Sequence, residues 1–600
     1  MERKLIRILK NVTKPSRYIG GEIGAPTISE ETRVKYCLCF PDVYEVGMSN
    51  IGTRILYHML NDKKGYSCER CFAPWTDMAE QLRKENFPLY SLETKTPLAK
   101  FDCLGFSFGY ELSYTTFLYM LDLAQIPFRS KDRGDNYPLI YGGGLCMSNP
   151  EPLADFLDFA VVGDGEDVTV KIIDTIHKAK LSKLSKEETL KQLSLLEGVY
   201  VPSLVNAVFD QNKKLKSMQG NIVKRLIVRD LDRVYYPNKL LVPNEQAVFE
   251  RAVIEVMRGC TRGCRFCQAG FLYRPVRERR VQTLVAQATG QIYNTGFDEL
   301  GLSSLSTGDY TKLPELLSFL DPLCASKHVK LALPSLRLDS FKQDMTSLLK
   351  SKSLTFAPEA GTQRLRDIIN KNISDQDIDN ALISAFNAGY SSVKFYFMIG
   401  LPYETAEDLM GIVNIVERTK KLYKQHKTTN KPLSISVSAS TFVPKAFTPF
   451  QWCKFVGVAE AEKRQAFLSF AFKKMGVKFS FHDPRSSQLE TILSRGDRSL
   501  SKMIELAYRG GAVFDSWTEM FRPEVYDVAI KVAGVNVQNY LDKREVNEAL
   551  AWDLIDAGIN KEFLSLEYQK AKDVNITKDC RHGCNGCGLL RFGVCNNGRC

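Results

Sequence analysis

Along this 600-residue chain, short apolar runs recur at intervals, each closed by glycine, proline or a small polar residue and followed by a stretch of helical periodicity. Apolar runs of about four to eight residues read as strands buried on both faces, and their alternation with helices reads as repeated βα units and a parallel sheet. Two such series are present. The first holds Val34 to Phe40, a helical pattern from Ser49 to Leu60, Cys103 to Phe108, Leu139 to Gly144 and Phe159 to Val162, and predicts an open α/β domain over residues 1–180. The second holds six runs, Val253 to Val256, Glu299 to Leu305, Val329 to Leu333, Leu354 to Ala357, Val393 to Ile399 and Leu433 to Phe442, and predicts a β/α barrel over 246–455. Residues 181–245 read as a linker region. Residues 456–570 are mostly helical in pattern, with polar interruptions that suggest a surface facing the barrel mouth. Residues 571–600 are rich in cysteine and too poor in apolar sequence to order themselves without a ligand.

Composition narrows the class. An apolar content of 44% supports several separate cores. No apolar run is long enough to span a membrane, and residues 1–20 are basic without the apolar core of a signal peptide. A cytoplasmic location follows as the expectation, so the 16 cysteines are not read as a disulfide framework, and Cys68 and Cys71 read as incidental. The net charge is +12, with local excesses at Arg3 to Arg17, at Lys178 to Lys191, and at Arg274, Arg277, Arg279 and Arg280. Arginines beside the mouth of a site are able to grip phosphates, which suits an RNA substrate; a solvated basic surface explains the same charge.

The strongest chemical signal is Arg258-Gly-Cys-Thr-Arg-Gly-Cys-Arg-Phe-Cys-Gln, directly after the first barrel run. Its two glycines let the backbone fold so that the thiolates of Cys260, Cys264 and Cys267 converge. A tetrahedral zinc site needs a fourth nearby ligand, and no cysteine or histidine follows before Cys324. A cubane iron–sulfur cluster, in contrast, can be held at three corners with one iron left open.

This stretch, with Phe266 at the aromatic position, resembles the signature of the radical SAM superfamily. The resemblance implies a partial (β/α)6 barrel, a 4Fe–4S cluster on Cys260, Cys264 and Cys267, and S-adenosylmethionine chelated by the open iron. One electron from the cluster then cleaves the sulfonium to methionine and a 5′-deoxyadenosyl radical. A reductant such as flavodoxin or ferredoxin is implied with it. By position, Ser306, Thr307, Gly308 and Asp309 stand where the family has a Gly-Gly-Glu-like motif for the methionine amino group, a departure from the common form. Glu359 stands where ribose hydroxyls are held, Arg364 where a guanidinium pairs with the methionine carboxylate, and Gly400 where backbone approaches adenine.

The N-terminal series resembles a Rossmann-like cobalamin-binding domain. Asp42, Tyr44 and Gly47 follow its Asp-x-His-x-x-Gly motif with tyrosine in place of the cobalt-ligating histidine, Ser107 loosely matches the next motif, and Gly142 and Gly143 with Gly144 match the glycine pair. A corrinoid bound without a histidine ligand and a relic domain that binds none both remain open. In the tail, Cys580, Cys584 and Cys587 repeat the three-and-two spacing, and Cys595 offers a fourth ligand for an auxiliary iron–sulfur cluster or zinc.

The order of corrinoid-type domain, barrel, helical region and Cys-rich tail is similar to that of cobalamin-domain radical SAM proteins. The implied function is modification of an unreactive C–H bond, with cobalamin-dependent methylation of RNA as the leading form and methylthio transfer as its competitor. A non-catalytic iron–sulfur sensor is the alternative from another class, and Phe266, Asp309, Glu359 and Gly400 speak against it.

Overall fold

The computed structural model of the chain describes residues 2–29, 31–332 and 353–595. In the N-terminal domain Tyr36–Phe40 (β1) is central, and its alternation feeds two cores: Cys37 and Cys39 join one apolar cluster with Leu104, Phe106 and Ile140, while Tyr36 and Leu38 join another with Cys103, Leu139 and Tyr141. A sheet buried on both faces is what helices on both sides require. Cys68–Phe72 (β2), Cys103–Ser107 (β3), Leu139–Gly143 (β4) and Phe159–Val161 (β5) run parallel to β1, and Val199–Tyr200 (β6) pairs antiparallel with β5, in the order β2-β1-β3-β4-β5-β6. The order changes direction beside β1, which makes the C-terminal ends of β1 and β3 the topological switch point where a ligand crevice forms.

The region read as a linker is folded. It supplies β6, a hairpin of Asn206–Phe209 with Leu215–Gln219, and Val223–Lys224, which pairs with Ile555–Asp556 far along the chain. Gly163, just after β5, bridges to Leu226 with φ +107, and a Cβ there would strike the Leu226 backbone.

The barrel strands fall in two parallel sheets: Ala252–Glu255 (β7), Glu299–Ser303 (β8) and Lys330–Ala332 (β9), then Leu354–Glu359 (β10), Ser392–Ile399 (β11), Ser434–Thr441 (β12) and Lys478–Phe481 (β13). All six runs read from the sequence are strands; Leu333, the last residue of the third, lies outside the described residues. β13 extends the sheet by one strand into the region read as helical. Phe356, Phe395 and Val437 pack inside against the helices Asp375–Asn387 and Ala406–His426.

The helices Ser501–Arg509 and Pro523–Ala533 depart from the expectation of a surface facing the barrel mouth. Met503, Ile504, Ala507 and Phe514 share one core with Phe117, Leu118 and Leu121 of the N-terminal domain. Among the described residues no helix is long and apolar enough to cross a membrane.

After β10 the chain meets the helix Ala406–His426 at Gly361 and Gly411, where the two backbones touch: a Cβ on Gly361 would collide with the Asp408 carbonyl and the Ile412 amide. Backbone cannot yield as a side-chain tip can, so Gly361→Ala is expected to destabilise the barrel by about 2–4 kcal/mol. Thermal unfolding checks this; an unchanged transition temperature would remove the close contact from the account.

Candidate functional site

β7 delivers the chain into the cysteine loop. Met257–Arg258 pairs antiparallel with Arg277–Glu278, and Gly259 turns with φ +98; a Cβ there would lie 2.5 Å from the carbonyl oxygens of Tyr273 and Pro275, so only glycine fits. Cys260, Cys264 and Cys267 are half-buried. Cys267 caps the short helix Gln268–Leu272, its Sγ accepting the Gly270 N–H at 3.4 Å. Burial pushes the Cys267 thiol up to about 12, and Cys264 and Cys260 add to the shift while Lys371 opposes it. The three sulfurs thus share one electrostatic environment, and a metal that takes them as thiolates must displace protons. Among the described residues no three His, Cys, Asp or Glu side chains stand grouped as for a metal ion, so the fit to a cluster rests on this shared environment and the loop geometry.

Two arginines between the cysteines fix the loop. Arg265 is fully buried; its guanidinium donates to the carbonyls of Ile368 (2.8 Å) and Asn575 (2.7 Å) and pairs with Glu567 at 3.2 Å, while its backbone N–H donates to Ile369. Arg262 pairs with Asp309, Nε to Oδ2 at 3.0 Å, and with Asp579 at 3.3 Å. Neither arginine was singled out from the sequence, although both lie inside the motif.

The residues expected around S-adenosylmethionine gather at the barrel strand ends with varied commitments. Phe266 packs against the apolar cluster that includes Ala360, Leu365 and Leu401. Ser306 donates to Asp309 at 2.7 Å, Thr307 is buried, and Gly308 lies in the same turn. Asp309 is engaged by Arg262 and Ser306 in this structure. Glu359 ends β10 at a register shift with φ +68, a conformation disfavoured outside glycine, and its Oε1 accepts from Lys371 Nζ at 3.0 Å. Lys371, unread in the sequence, therefore links Glu359 to the surroundings of Cys267. Arg364 pairs with Asp408 and donates to the Tyr403 carbonyl at 3.0 Å. A Cβ on Gly400 would meet Val456 Cγ1 at 2.7 Å, so its close neighbour is protein.

A cavity of about 410 Å³ separates the N-terminal sheet from the cysteine loop. Ser107, Gly143 and Gly144 line it from the strand ends of the first domain, and Arg258, Gly259 and Tyr273 from the barrel. Gly142 sits behind, where a Cβ would press on Met147 Sδ. Asp42, Tyr44 and Gly47 are not among the lining residues. Asp42 accepts from Trp517 Nε1 at 3.0 Å, and burial pushes its carboxyl up. Tyr44 is buried, donates to Glu22 at 3.0 Å and accepts the Asn244 N–H at 2.9 Å; Gly47 packs on the Phe72 ring. Arg258 ties the two domains across this cavity, pairing with Asp164 (2.9 Å) and Glu166 (2.9 Å) of the first and Glu255 (3.0 Å) of the second.

The tail docks on the same loop. Thr261 Oγ1 donates to Asp579 at 2.7 Å, and the Cys580 N–H donates to the Thr261 carbonyl at 3.4 Å. Cys580 and Cys587 are buried and Cys584 is exposed, all three as free thiols; burial raises the Cys580 thiol and Cys587 adds to it. Cys595, offered as a fourth ligand, stands in a disulfide.

The arginine group read as a phosphate grip is mostly turned inward. Arg274, Arg277 and Arg279 are buried, with Arg277 on Asp164 at 2.6 Å, Arg279 on Glu255 at 3.3 Å and Arg274 donating to the Gly270 carbonyl; Arg280 alone of the four is exposed, beside Asp232. They stabilise the loop's surroundings rather than present charge to solvent.

Residues 254–416 match the model of the radical SAM superfamily, and residues 52–202 match that of the radical SAM proteins' N-terminal region. The chain belongs to the radical SAM superfamily and is an enzyme of that class. An uncharacterized protein of Methanocaldococcus jannaschii is 28% identical over 473 residues, which is 78% of this chain and 90% of that one. The ribosomal protein uS12 methylthiotransferase RimO of a Thermoanaerobacter species is 22% identical over 310 residues, 46% of this chain and 68% of its own. Among solved structures, the cobalamin-dependent S-adenosylmethionine radical enzyme OxsB aligns with a TM-score of 0.48 at 14% identity, over 90% of this chain and 79% of that one. The radical S-adenosylmethionine methyltransferase TsrM of Kitasatospora setae aligns with a TM-score of 0.47 at 12% identity, over 72% and 78%.

Beside Gly400, Glu404 pairs with Arg464 at 3.1 Å, and its carboxyl is pushed up to about 7, mainly by burial, with Arg464 opposing. The folded chain holds this proton more tightly than the unfolded chain. The stabilisation is therefore complete below the usual value of 4.5 and is lost as pH rises through about 7. Glu404→Gln is expected to reduce the fall in stability between about pH 5 and about pH 8 by about 1–3 kcal/mol. Parallel plots of melting temperature against pH for the two proteins would refute the assignment.

Proposed function

We propose that this radical SAM enzyme binds its 4Fe–4S cluster through Cys260, Cys264 and Cys267, binds S-adenosylmethionine at the ends of β8, β10 and β11, and acts on a substrate admitted between the two domains. The carrying observation is the placement of three cysteines in one loop whose preceding residues, Arg258 and Gly259, line the inter-domain cavity. When bound, the cluster and S-adenosylmethionine supply a 5′-deoxyadenosyl radical able to abstract hydrogen from an unreactive carbon. The chain's own part is to position and to exclude water. Arg262 and Arg265 hold the loop, Lys371 places a positive charge between Glu359 and the Cys267 thiol, and the Arg258 ion pairs keep the two walls of the cavity in register.

Methyl transfer through cobalamin is the leading form of the reaction. The site for the corrinoid is the switch-point crevice, where Ser107, Gly143 and Gly144 leave the strand ends open. Tyr44 is held by Glu22 and Asn244 and is not among the cavity's lining residues, so cobalt would receive no ligand from that position. RNA is the first substrate class to assay, because Arg3 and Arg7 on the helix Glu2–Leu9 and Lys10 just after it present exposed positive charge. Methylthio transfer is a second reading, supported by the 22% identity to an enzyme that carries that name and by the second cysteine group.

Anaerobic purification with metal analysis, followed by reduction and chromatography for 5′-deoxyadenosine, tests these readings. Wild type is expected to release 5′-deoxyadenosine, and Cys260→Ala to release none. Cobalt near stoichiometry supports methyl transfer; iron and sulfide for two clusters without cobalt transfers the reading to methylthio chemistry. Absence of 5′-deoxyadenosine from a fully loaded wild type would instead mark an iron–sulfur sensor.

A further inference from the structure

Along β10, β11 and β12 one set of alternating residues packs toward the helices, among them Phe356, Phe395 and Val437. The other set faces the barrel interior, which closed β/α barrels fill with layers of bulky branched side chains. Here those positions hold Lys394, Tyr396 and Met398 on β11, Ser436, Ser438 and Ser440 on β12, and Lys478 and Ser480 on β13. Lys478 and Ser480 are exposed, Tyr396 is 40% exposed, and the others are half-buried. The inner wall of this sheet is therefore a polar surface in reach of solvent, where a packed core is the usual arrangement.

Strand register orders that surface into rows. Lys394, Ser436 and Lys478 are direct neighbours across β11, β12 and β13, and Tyr396, Ser438 and Ser480 form the next row. The two lysines flank one serine, their backbones about 10 Å apart at the usual strand spacing, so both ammonium groups can meet one anion above Ser436. Lys394 Nζ rests over the Tyr396 ring, 4.7 Å from its centroid. Among the described residues neither lysine pairs with an acid, and the hydroxyls of Ser436, Ser438, Ser440 and Ser480 make no hydrogen bond. Cations nearer the cysteine loop are paired, Lys371 with Glu359 and Arg364 with Asp408. The surface is also continuous with the reaction site. Met398, about 13 Å along β11 from Lys394, packs against the same apolar cluster as Phe266, and Glu359 lies beside Phe397 on the neighbouring strand.

Unpaired ammonium groups beside unbonded hydroxyls are a donor set for phosphate oxygens. Joined to an exposed aromatic ring on a surface three strands wide, they match the footprint of one nucleic-acid strand, whose backbone meets cations while a base stacks on the ring. The free hydroxyls also suit a ribose 2′-hydroxyl, which donates and accepts. We propose that Lys394, Ser436 and Lys478 bind a backbone phosphate of single-stranded RNA, and that the strand runs past Tyr396 along the inner face of β11 toward Met398 and the S-adenosylmethionine site. The proposal rests on the reading of RNA as the substrate class and adds the place where the strand is held.

The test measures binding of a fluorescein-labelled single-stranded oligoribonucleotide to the full-length chain, reconstituted anaerobically, by anisotropy over a range of salt. Replacing both lysines, Lys394→Ala with Lys478→Ala, is expected to weaken binding at least about tenfold and to lower the slope of log affinity against log salt by about 0.7, the share of one phosphate. The pair Lys394→Arg with Lys478→Arg, which keeps both charges, is expected to stay within about threefold of wild type. Tyr396→Ala is expected to weaken binding at least about fivefold. Should the double alanine variant fold poorly, Lys478→Glu at an exposed position replaces it, with a loss of at least about tenfold expected. RNA bound by wild type but equally by the alanine pair, or lost in Arg3→Ala with Arg7→Ala while the lysine variants bind normally, overturns the barrel site and leaves RNA as the substrate class. A wild type that binds no RNA overturns both.

Discussion

A buried guanidinium governs the geometry of this enzyme. Arg265 lies between two of the cysteines and has no exposed side-chain surface, and a charge withdrawn from water is tolerated only with full pairing. Its partners come from three places: the carbonyl of Ile368 after β10, Glu567 on the helix Lys561–Lys572, and the carbonyl of Asn575. Moving the cysteine loop would strip that charge of its partners. The position of the thiols is therefore set by the barrel and the tail jointly, and the loop has little freedom of its own.

The second constraint runs across the cavity. Arg258 precedes the cysteine loop and carries ion pairs to Asp164 and Glu166 at the end of β5 and to Glu255 at the end of β7. Arg277 meets Asp164 from the other side. Alternating charges in a site of low water content keep each other ionised, so the two domains are held by a network rather than by a single bridge. The N-terminal sheet and the barrel then face one another with their strand ends inward, the arrangement in which α/β folds place their ligands.

Much of this was legible in the sequence where the signal is local. The six barrel runs, the β1, β3, β4 and β5 runs and the cysteine spacing depend on neighbouring residues and were read as they stand. Cys68–Phe72 escaped because Glu69 and Arg70 interrupt its apolar pattern; the structure buries both, Arg70 on Glu22 and Glu93, and Glu69 on Ser91 and Thr94. Arg274, Arg277 and Arg279 were read as surface charge for the converse reason: their partners Gly270, Asp164 and Glu255 lie on other turns or in another domain, and a sequence does not show such pairing. The docking of Asp579 and Cys580 on Thr261 spans more than 300 positions and leaves no periodic trace.

That separation orders events in time. Domains made earlier begin to fold while synthesis continues, so the loop bearing Cys260 leaves the ribosome well before Glu567, Asn575 and Asp579, the residues that later cover it. Until those residues are made, the Arg265 guanidinium lacks its Glu567 and Asn575 partners, and the loop has only its contacts to the barrel. The final geometry of the loop in this sense waits on the last part of the chain.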